Sequence, residues 1–305
     1  MTILKRFFLS GIFVIFLLFV CKGQGIFDFK TIDNGGAGTY KTIAIHDANF
    51  PEYTIYRPGN LKFAASNTTL PLIIFGNGSC INTSEPFEKF LNEIASFGYI
   101  VIAIGPLRHT VNDFMNDTIA MRFTFPDEMT EAIDRMEKCY KDSTSDYYSI
   151  IDLNNIAVMG QSCGGLQALA VSRDPRVTTT ICLNSGVIIP NEGQPDSVVD
   201  KEILETLHSP VLYLIGGPSD LAYKNAVDDY SHINKVFVSM ANYNAGHSGT
   251  YEEKFGGAFT PITIQWLEWQ LKGKEWAGKV FLGEECACEF PRWSLVSKNY
   301  SMLSK

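Results

Sequence analysis

The chain has 305 residues, of which 46% are hydrophobic and 19% charged, and its formal net charge at pH 7 is −8. These proportions are typical of an ordinary globular protein, and the length is sufficient to bury a sizeable core. The acidic balance and the lack of a basic cluster argue against nucleic acid or an anionic membrane surface as a partner.

The first 24 residues differ from the rest and indicate a signal peptide. Lys5 and Arg6 precede an uncharged run, 7–20, that is rich in Phe, Leu, Ile and Val. This run is shorter than the roughly 20 residues that span a membrane, but it fits the apolar centre of a secretory signal. We therefore expect an exported protein, secreted, periplasmic or at the cell surface, with residues 25–305 forming one domain. A lipid on Cys21 and a retained anchor are the alternatives.

The first elements after this segment alternate between strand and helix. An irregular, glycine-containing segment, 35–40, precedes a strand at 53–56 whose alternating pattern predicts an edge position. After a polar, turn-like stretch, an unbroken apolar run predicts a strand buried on both faces at 70–75. Helical spacing at 85–97 and a second buried strand at 99–104 follow.

The second half of the chain continues this alternation. Helical spacing predicts a helix at 125–140 and a closing helix at 263–271, with a polar surface excursion at 191–200. Further apolar strands are predicted at 155–160, 177–183, 210–215 and 236–240, the last of which we expect to be the final strand. Strands that alternate with helices predict an α/β fold with a mostly parallel central sheet and helices on both faces.

A Gly-x-Ser-x-Gly motif, Gly160 to Gly164, lies where the strand at 155–160 turns into a small-residue helix. In that context the motif is a nucleophile elbow, which lifts the hydroxyl of Ser162 above the edge of the sheet. The following helix would direct backbone N–H groups toward a developing oxyanion. The motif alone is weak evidence, because serine between two glycines also occurs in plain loops.

Two further residues give the motif its context, since each follows a predicted buried strand. Asp220 comes after the strand at 210–215, and His247 after the strand at 236–240. Ligands of open α/β sheets bind beyond the carboxyl ends of the strands, so both should lie near Ser162. A serine hydroxyl needs an imidazole to accept its proton, and the imidazole needs a carboxylate to fix its tautomer. We therefore predict Ser162, His247 and Asp220 as nucleophile, base and acid.

Other histidines and carboxylates compete for these roles, and Asp220 itself has the alternative role of a helix cap. The competitors precede the serine in the chain, lie at the opposite end of the sheet, or do not follow a strand. They are His46, His109, His208, His232, Asp196, Asp200, Asp228 and Asp229.

An oxyanion hole requires two donors, and we predict the backbone N–H of Cys163 and a donor from Ser79. Ser79 lies in the loop after the strand at 70–75. The residues assigned to substrate binding are Asn77, Gly78 and Asn184, which also follow strands. A plain glycine turn is the alternative for the Ser79 loop. Cys163 is an alternative nucleophile.

Together these motifs resemble the serine α/β-hydrolase superfamily, especially exported bacterial and fungal members related to dienelactone hydrolases, cutinases and polyester hydrolases. The matching pieces are the loop 76–80, the elbow 160–165, Ile215-Gly-Gly-Pro-Ser-Asp220 and Ala245-Gly-His247, closed by the segment 266–273. The oxyanion loop differs from that of polyester hydrolases, which carry an aromatic residue where this chain has Asn77 and Ser79. Trp266 and Trp269, in the closing segment, would line a pocket or pack in the core.

The resemblance implies an exported carboxylic-ester hydrolase that acts on small or polymeric esters through an acyl-enzyme. No metal and no cofactor are expected, because neither a CxxC pair nor a cysteine–histidine cluster indicates a zinc site. A serine peptidase of the same fold and a non-catalytic binding protein of that fold are the alternatives. The sequence predicts no stable membrane partner, and it makes no prediction about the oligomeric state.

The mature chain would retain six cysteines, an even number that suggests disulfides in an exported protein. In the fold that the resemblance implies, the loops that carry Cys80 and Cys163 face each other across the active site. A disulfide between them would hold the oxyanion donors in place. The alternative is two buried free thiols, with Cys139, Cys286 and Cys288 forming whatever disulfide exists.

Overall fold

The computed structural model describes residues 28–109, 122–189, 199–283 and 292–303. Its strands in chain order are β1 (Asp28–Lys30), β2 (Thr42–Asp47), β3 (Phe50–Pro58), β4 (Leu70–Gly76), β5 (Ile100–Ile104), β6 (Ile151–Gln161), β7 (Val177–Leu183), β8 (Val211–Ile215), β9 (Val238–Tyr243) and β10 (Trp293–Lys298). Within these ranges they form one sheet in the order β1-β2-β3-β5-β4-β6-β7-β8-β9-β10. The strands β4 to β9 are parallel, whereas β1 to β3 at one edge and β10 at the other are antiparallel.

Helices cover both faces of this sheet. In chain order they are α1 (Leu61–Ala64), α2 (Glu88–Ser96), α3 (Pro126–Lys141), α4 (Cys163–Val171), α5 (Tyr223–His232), α6 (Phe259–Lys272) and α7 (Glu275–Leu282). The helices α2, α6 and α7 pack on one face, and α3, α4 and α5 pack on the other. The prediction of an α/β fold with a mostly parallel sheet is therefore confirmed.

The double covering explains why the central strands are unbroken apolar runs. In β4, Ile73 and Phe75 face the core beneath α2 and α6, while Leu72 and Ile74 face the core beneath α3. Successive side chains of a strand point to opposite faces, so a strand with helices on both sides has no position for an exposed polar residue. The strands predicted at 70–75, 99–104, 177–183 and 210–215 match β4, β5, β7 and β8 within about one residue.

The strand predicted at 53–56 is not an edge strand. It is part of β3, which lies between β2 and β5, and two further antiparallel strands extend the sheet beyond it. Pro58 is the last residue of β3 and so leaves the ladder intact. The turn-like stretch that follows contains α1, which Asn60 caps by accepting a hydrogen bond from the N–H of Phe63 at 3.0 Å.

The predicted last strand and closing helix are not the last elements. After β9 and α6 the chain forms α7 and then β10, which pairs antiparallel with β9 at the edge of the sheet. The residues of β10 alternate between half-buried and exposed, so a search for unbroken apolar runs misses this strand. The closing role assigned to 263–271 was therefore wrong.

Some predictions lie outside the described residues, namely the signal peptide at 1–24, most of the excursion at 191–200, and Cys286 and Cys288. No helix in the described ranges is both long and apolar enough to cross a membrane.

Candidate active site

Ser162 occupies a sharp turn between β6 and α4, with a φ of 53° and a ψ of −117°. A positive φ is unfavourable for a residue with a side chain, and the surrounding structure must hold it there. The elbow glycines allow the close packing that does so. A Cβ on Gly160 would lie 2.3 Å from the carbonyl oxygen of Gly164, and a Cβ on Gly164 would lie 2.1 Å from that of Gly76. The local geometry is therefore the sharp strand-to-helix turn that the sequence motif predicts.

The structure brings the three predicted catalytic side chains together beyond the carboxyl ends of β6, β8 and β9. The Oγ of Ser162 is 3.0 Å from Nε2 of His247, and Nδ1 of His247 is 2.6 Å from Oδ1 of Asp220. An ionised carboxylate only accepts hydrogen bonds, so Nδ1 carries the proton. Nε2 is then left as the acceptor for the serine hydroxyl.

The carboxylate of Asp220 is buried and hydrogen-bonded on both oxygens. Besides His247, it accepts the N–H of Gly216 at 2.9 Å, the N–H of Ala222 at 2.9 Å and the side-chain amide of Asn184 at 2.7 Å. Burial raises the pKa of Asp220, but these hydrogen bonds outweigh it and the net pKa lies below the usual value. Asp220 is therefore ionised at neutral pH and accepts the hydrogen bond from Nδ1 of His247.

The two predicted oxyanion donors lie on segments joined by a disulfide. Ser79 has a φ of 53° in a short 3-10 turn, Gly78–Cys80, and lines the same cleft as Ser162 and His247. Cys163 is the first residue of α4, where backbone N–H groups have no acceptor within the helix. The structure joins Cys80 to Cys163, with their Cα atoms 5.2 Å apart. Because its sulfur is bonded to Cys80, Cys163 cannot serve as the alternative nucleophile.

The three residues assigned to substrate binding have other positions. The amide of Asn77 is buried and donates to the carbonyl oxygens of Ile81 and Ile104 at 2.9 and 2.7 Å, so it braces its own loop. A Cβ on Gly78 would lie 2.1 Å from Oε1 of Gln161, so this glycine makes room for that amide. Asn184 is also buried, and it holds Asp220. Position after a strand does not reveal which way a short amide points, and a buried amide must be hydrogen-bonded.

A cleft of about 370 Å³ opens beside Ser162. Pro86, Phe87 and Tyr251 form an apolar wall, in which the rings of Phe87 and Tyr251 are 5.2 Å apart. Glu252 and Glu253 line its exposed part, and no Lys or Arg side chain of the described residues does so. Such a volume is at the lower end of the range for small-molecule sites. The sequence analysis missed this wall, because its residues come from a 3-10 turn and a loop.

Gln161, which precedes the nucleophile, also lines the cleft. Its Nε2 donates to the backbone oxygen of His247 at 2.9 Å. This bond ties the elbow directly to the loop that carries the base. Its position beside Ser162 is the signal by which the sequence could have identified it.

The competing residues lie elsewhere or have other partners. His208 contacts the carbonyl of Val177 at the start of β7, the opposite end of the sheet from Ser162. Asp228 and Asp229 both pair with Lys201. Asp196 lies outside the described residues. The indoles of Trp266 and Trp269 pack against each other and against Phe237 and Phe281 instead of lining the cleft.

Among the residues that the structure describes, no group of three or more His, Cys, Asp or Glu side chains could hold a metal ion. No protein-family model matches the chain, and no curated protein matches it.

Proposed function

We propose that this protein is a serine hydrolase of the α/β-hydrolase fold that cleaves carboxylic esters through an acyl-enzyme. The proposal depends on two contacts. Oγ of Ser162 is 3.0 Å from Nε2 of His247, and Nδ1 of His247 is 2.6 Å from Oδ1 of Asp220. The elbow conformation of Ser162 and the mostly parallel sheet support the fold assignment.

In this mechanism the Oγ of Ser162 attacks the ester carbonyl while His247 accepts the serine proton. The imidazolium that forms is stabilised by the charge of Asp220. The N–H of Cys163 and a donor from Ser79 bind the oxyanion of the tetrahedral intermediate. His247 then protonates the leaving alcohol, and a water molecule deprotonated by His247 hydrolyses the acyl-enzyme.

The size of the described cleft favours small esters over peptides. A volume of about 370 Å³ with an apolar wall suits a short acyl or alkyl group. The disulfide between Cys80 and Cys163 supports export, because such bonds persist in oxidising compartments.

Chromogenic p-nitrophenyl esters from acetate to palmitate, assayed with the chain 25–305, test this proposal. We expect hydrolysis of the short esters and its loss in Ser162→Ala. The matched control is Ser66→Ala, since Ser66 is exposed and its hydroxyl donates to the carbonyl oxygen of Phe63 in α1. Turnover by Ser162→Ala equal to that of the unmodified protein would contradict the mechanism.

A further inference from the structure

Asn184 links the acid and the base of the candidate triad from a third strand end. It follows β7 with a φ of 44°, and its side chain is fully buried. Its Nδ2 donates to Oδ2 of Asp220 at 2.7 Å and to the carbonyl oxygen of Gly246 at 3.1 Å. Gly246 is the residue before His247. One amide nitrogen therefore contacts both the carboxylate and the loop that carries the imidazole.

The other end of the amide is held by Tyr251. The hydroxyl of Tyr251 forms a short hydrogen bond with Oδ1 of Asn184. Oδ1 can only accept, so the phenol donates. Burial, and then the charge of Asp220, raises the pKa of Tyr251 well above its usual value, which keeps the phenol in its donating form. Both N–H groups and the oxygen of the amide are thus hydrogen-bonded, and its orientation is fixed.

The surrounding glycines leave little room for another arrangement. A Cβ on Gly216 would lie 1.8 Å from the carbonyl oxygen of Gly246 and 2.9 Å from Nδ2 of Asn184. A Cβ on Gly249 would lie 2.5 Å from the ring of Tyr251 and 3.1 Å from Oδ1 of Asn184. Three loops therefore approach each other closely around this one amide.

We propose that Asn184 and Tyr251 are positioning residues that hold the carboxylate of Asp220 in line with His247, an inference that rests on the proposed function. Oδ1 of Asp220 faces His247 while Oδ2 faces Asn184, so the amide resists rotation of the carboxylate. With the amide flipped, its oxygen would face the carboxylate and repel it. Tyr251 opposes that flip, because only the unflipped amide accepts its proton.

The variant Tyr251→Phe removes the hydroxyl and keeps the ring. The ring packs against Phe87, Phe90 and Phe259 with centroids 5.2, 5.2 and 5.3 Å away, and these contacts remain in the variant. With p-nitrophenyl acetate we expect kcat to fall roughly 3- to 10-fold, the size of one hydrogen bond, while KM changes less than about twofold. A lost packing role would lower the unfolding temperature instead and leave kcat unchanged.

Two variants at Asn184 give a pH-dependent comparison of kcat that a purely structural role of the side chain would not change. Asn184→Gly tolerates the positive φ and removes the amide, so kcat should fall roughly 10- to 100-fold, as for a hydrogen bond to a charged group. Asn184→Asp places a second carboxylate against Asp220, and the pair will share a proton at a raised pKa. When that proton is held, the introduced group donates to Asp220 as the amide did.

The ratio of kcat for Asn184→Asp to kcat for Asn184→Gly should therefore rise as pH falls from about 8 to 6. The titratable groups that contact the substituted side chain directly or through Asp220 are Tyr251, Asp220 and His247. Glu252 and Glu253 line the same cleft as Tyr251. All of these groups are present in both variants, so the carboxyl introduced at position 184 is the titratable group by which the two variants differ.

Labelling by a fluorophosphonate separates this inference from the proposed function. Suppose that the unmodified protein hydrolyses p-nitrophenyl acetate. Then unchanged kcat in Tyr251→Phe, or a ratio of kcat for Asn184→Asp to kcat for Asn184→Gly that does not change with pH, overturns the positioning role and leaves the proposed function intact. Should Asn184→Gly fail to fold, Tyr251→Phe still decides. Unmodified protein that neither hydrolyses the ester nor reacts with the fluorophosphonate contradicts the proposed function, and the positioning role falls with it.

Discussion

At the scale of single residues, the proposed chemistry depends on a serine in a backbone conformation that serine rarely adopts. Ser162, at a φ of 53°, is held by the close contacts that Gly160 and Gly164 permit. Strain of this kind costs on the order of 1–3 kcal/mol and persists only where the surroundings determine it. The strained residue is the one whose Oγ lies 3.0 Å from Nε2 of His247, which supports a functional reason for the strain.

Substitutions in the triad should have unequal effects. Ser162→Ala or His247→Ala should lower kcat by roughly 10⁴-fold or more, because either change removes the nucleophile or its base. Asp220→Asn keeps the geometry but weakens the stabilisation of the imidazolium, so we expect a somewhat milder loss. Steady-state kinetics on p-nitrophenyl acetate, with circular dichroism as the folding control, measures this order. Equal activity of His247→Ala and the unmodified protein would contradict it.

At the scale of elements, the disulfide connects the turn after β4 to the first residue of α4. It closes a loop with a sequence separation of 83, so it should stabilise the fold as well as the donor geometry. Electrostatic catalysis requires donors that are in place before the substrate binds. Cys139, on α3, is also disulfide-bonded and provides a comparison elsewhere in the molecule.

The double variant Cys80→Ser, Cys163→Ser should therefore lose kcat even where it remains folded. We expect a decrease of roughly tenfold or more, since loss of one oxyanion donor alone costs about 10²- to 10³-fold. The assay is run below the unfolding temperature of the variant. Cys139→Ser is the control and should lose stability without a comparable loss of kcat. Full kcat in the folded double variant would show that the bridge has only a structural role.

The helix α5 contains a carboxyl whose titration affects stability. Burial raises the pKa of Asp229 to about 6, despite hydrogen bonds from Lys201, the N–H of Val187 and the hydroxyl of Tyr213. In the unfolded chain this carboxyl titrates near pH 3.9. Between these values the folded state binds one more proton than the unfolded state, so stability falls as pH rises toward about 6 and then levels off.

Asp229→Asn removes the titrating carboxyl, so a comparison with the unmodified protein isolates its effect on stability. The unfolding temperature of the unmodified protein minus that of the variant should decrease as pH rises from about 4 to 6 and stay constant above that. Differential scanning calorimetry across this range measures the difference. A difference that increases with pH would mean that the carboxyl is instead stabilised in its charged form.

At the scale of the whole molecule, the net charge of −8 and the two glutamates at the cleft oppose anionic substrates. Screening by salt should therefore raise kcat/KM for an anionic ester and leave that of a neutral ester of the same alcohol nearly unchanged. A hemisuccinate and an acetate ester, compared at about 10 and 300 mM salt, provide the test. No salt dependence for the anionic ester would exclude this electrostatic effect.

The parallel centre of the sheet could be predicted because burial on both faces leaves an unbroken apolar run, as in β4. The edges could not, because β10 mixes half-buried with exposed residues and β3 resembles an edge strand although two more strands lie beyond it. The proximity of Ser162, Asp220 and His247 could be predicted from their positions after strands. The roles of Asn77 and Asn184 did not, because the direction of a buried amide is decided by partners that only the folded chain brings together.

The central claim is that Ser162 is a nucleophile activated by His247, and covalent labelling tests it most directly. The chain 25–305 is incubated with a fluorophosphonate, and the modified peptide is identified by mass spectrometry. We predict one equivalent of label on Ser162, and labelling at least about 10³-fold slower in His247→Ala. Absence of labelling, or labelling of another residue at the same rate in Ser162→Ala, would contradict the account.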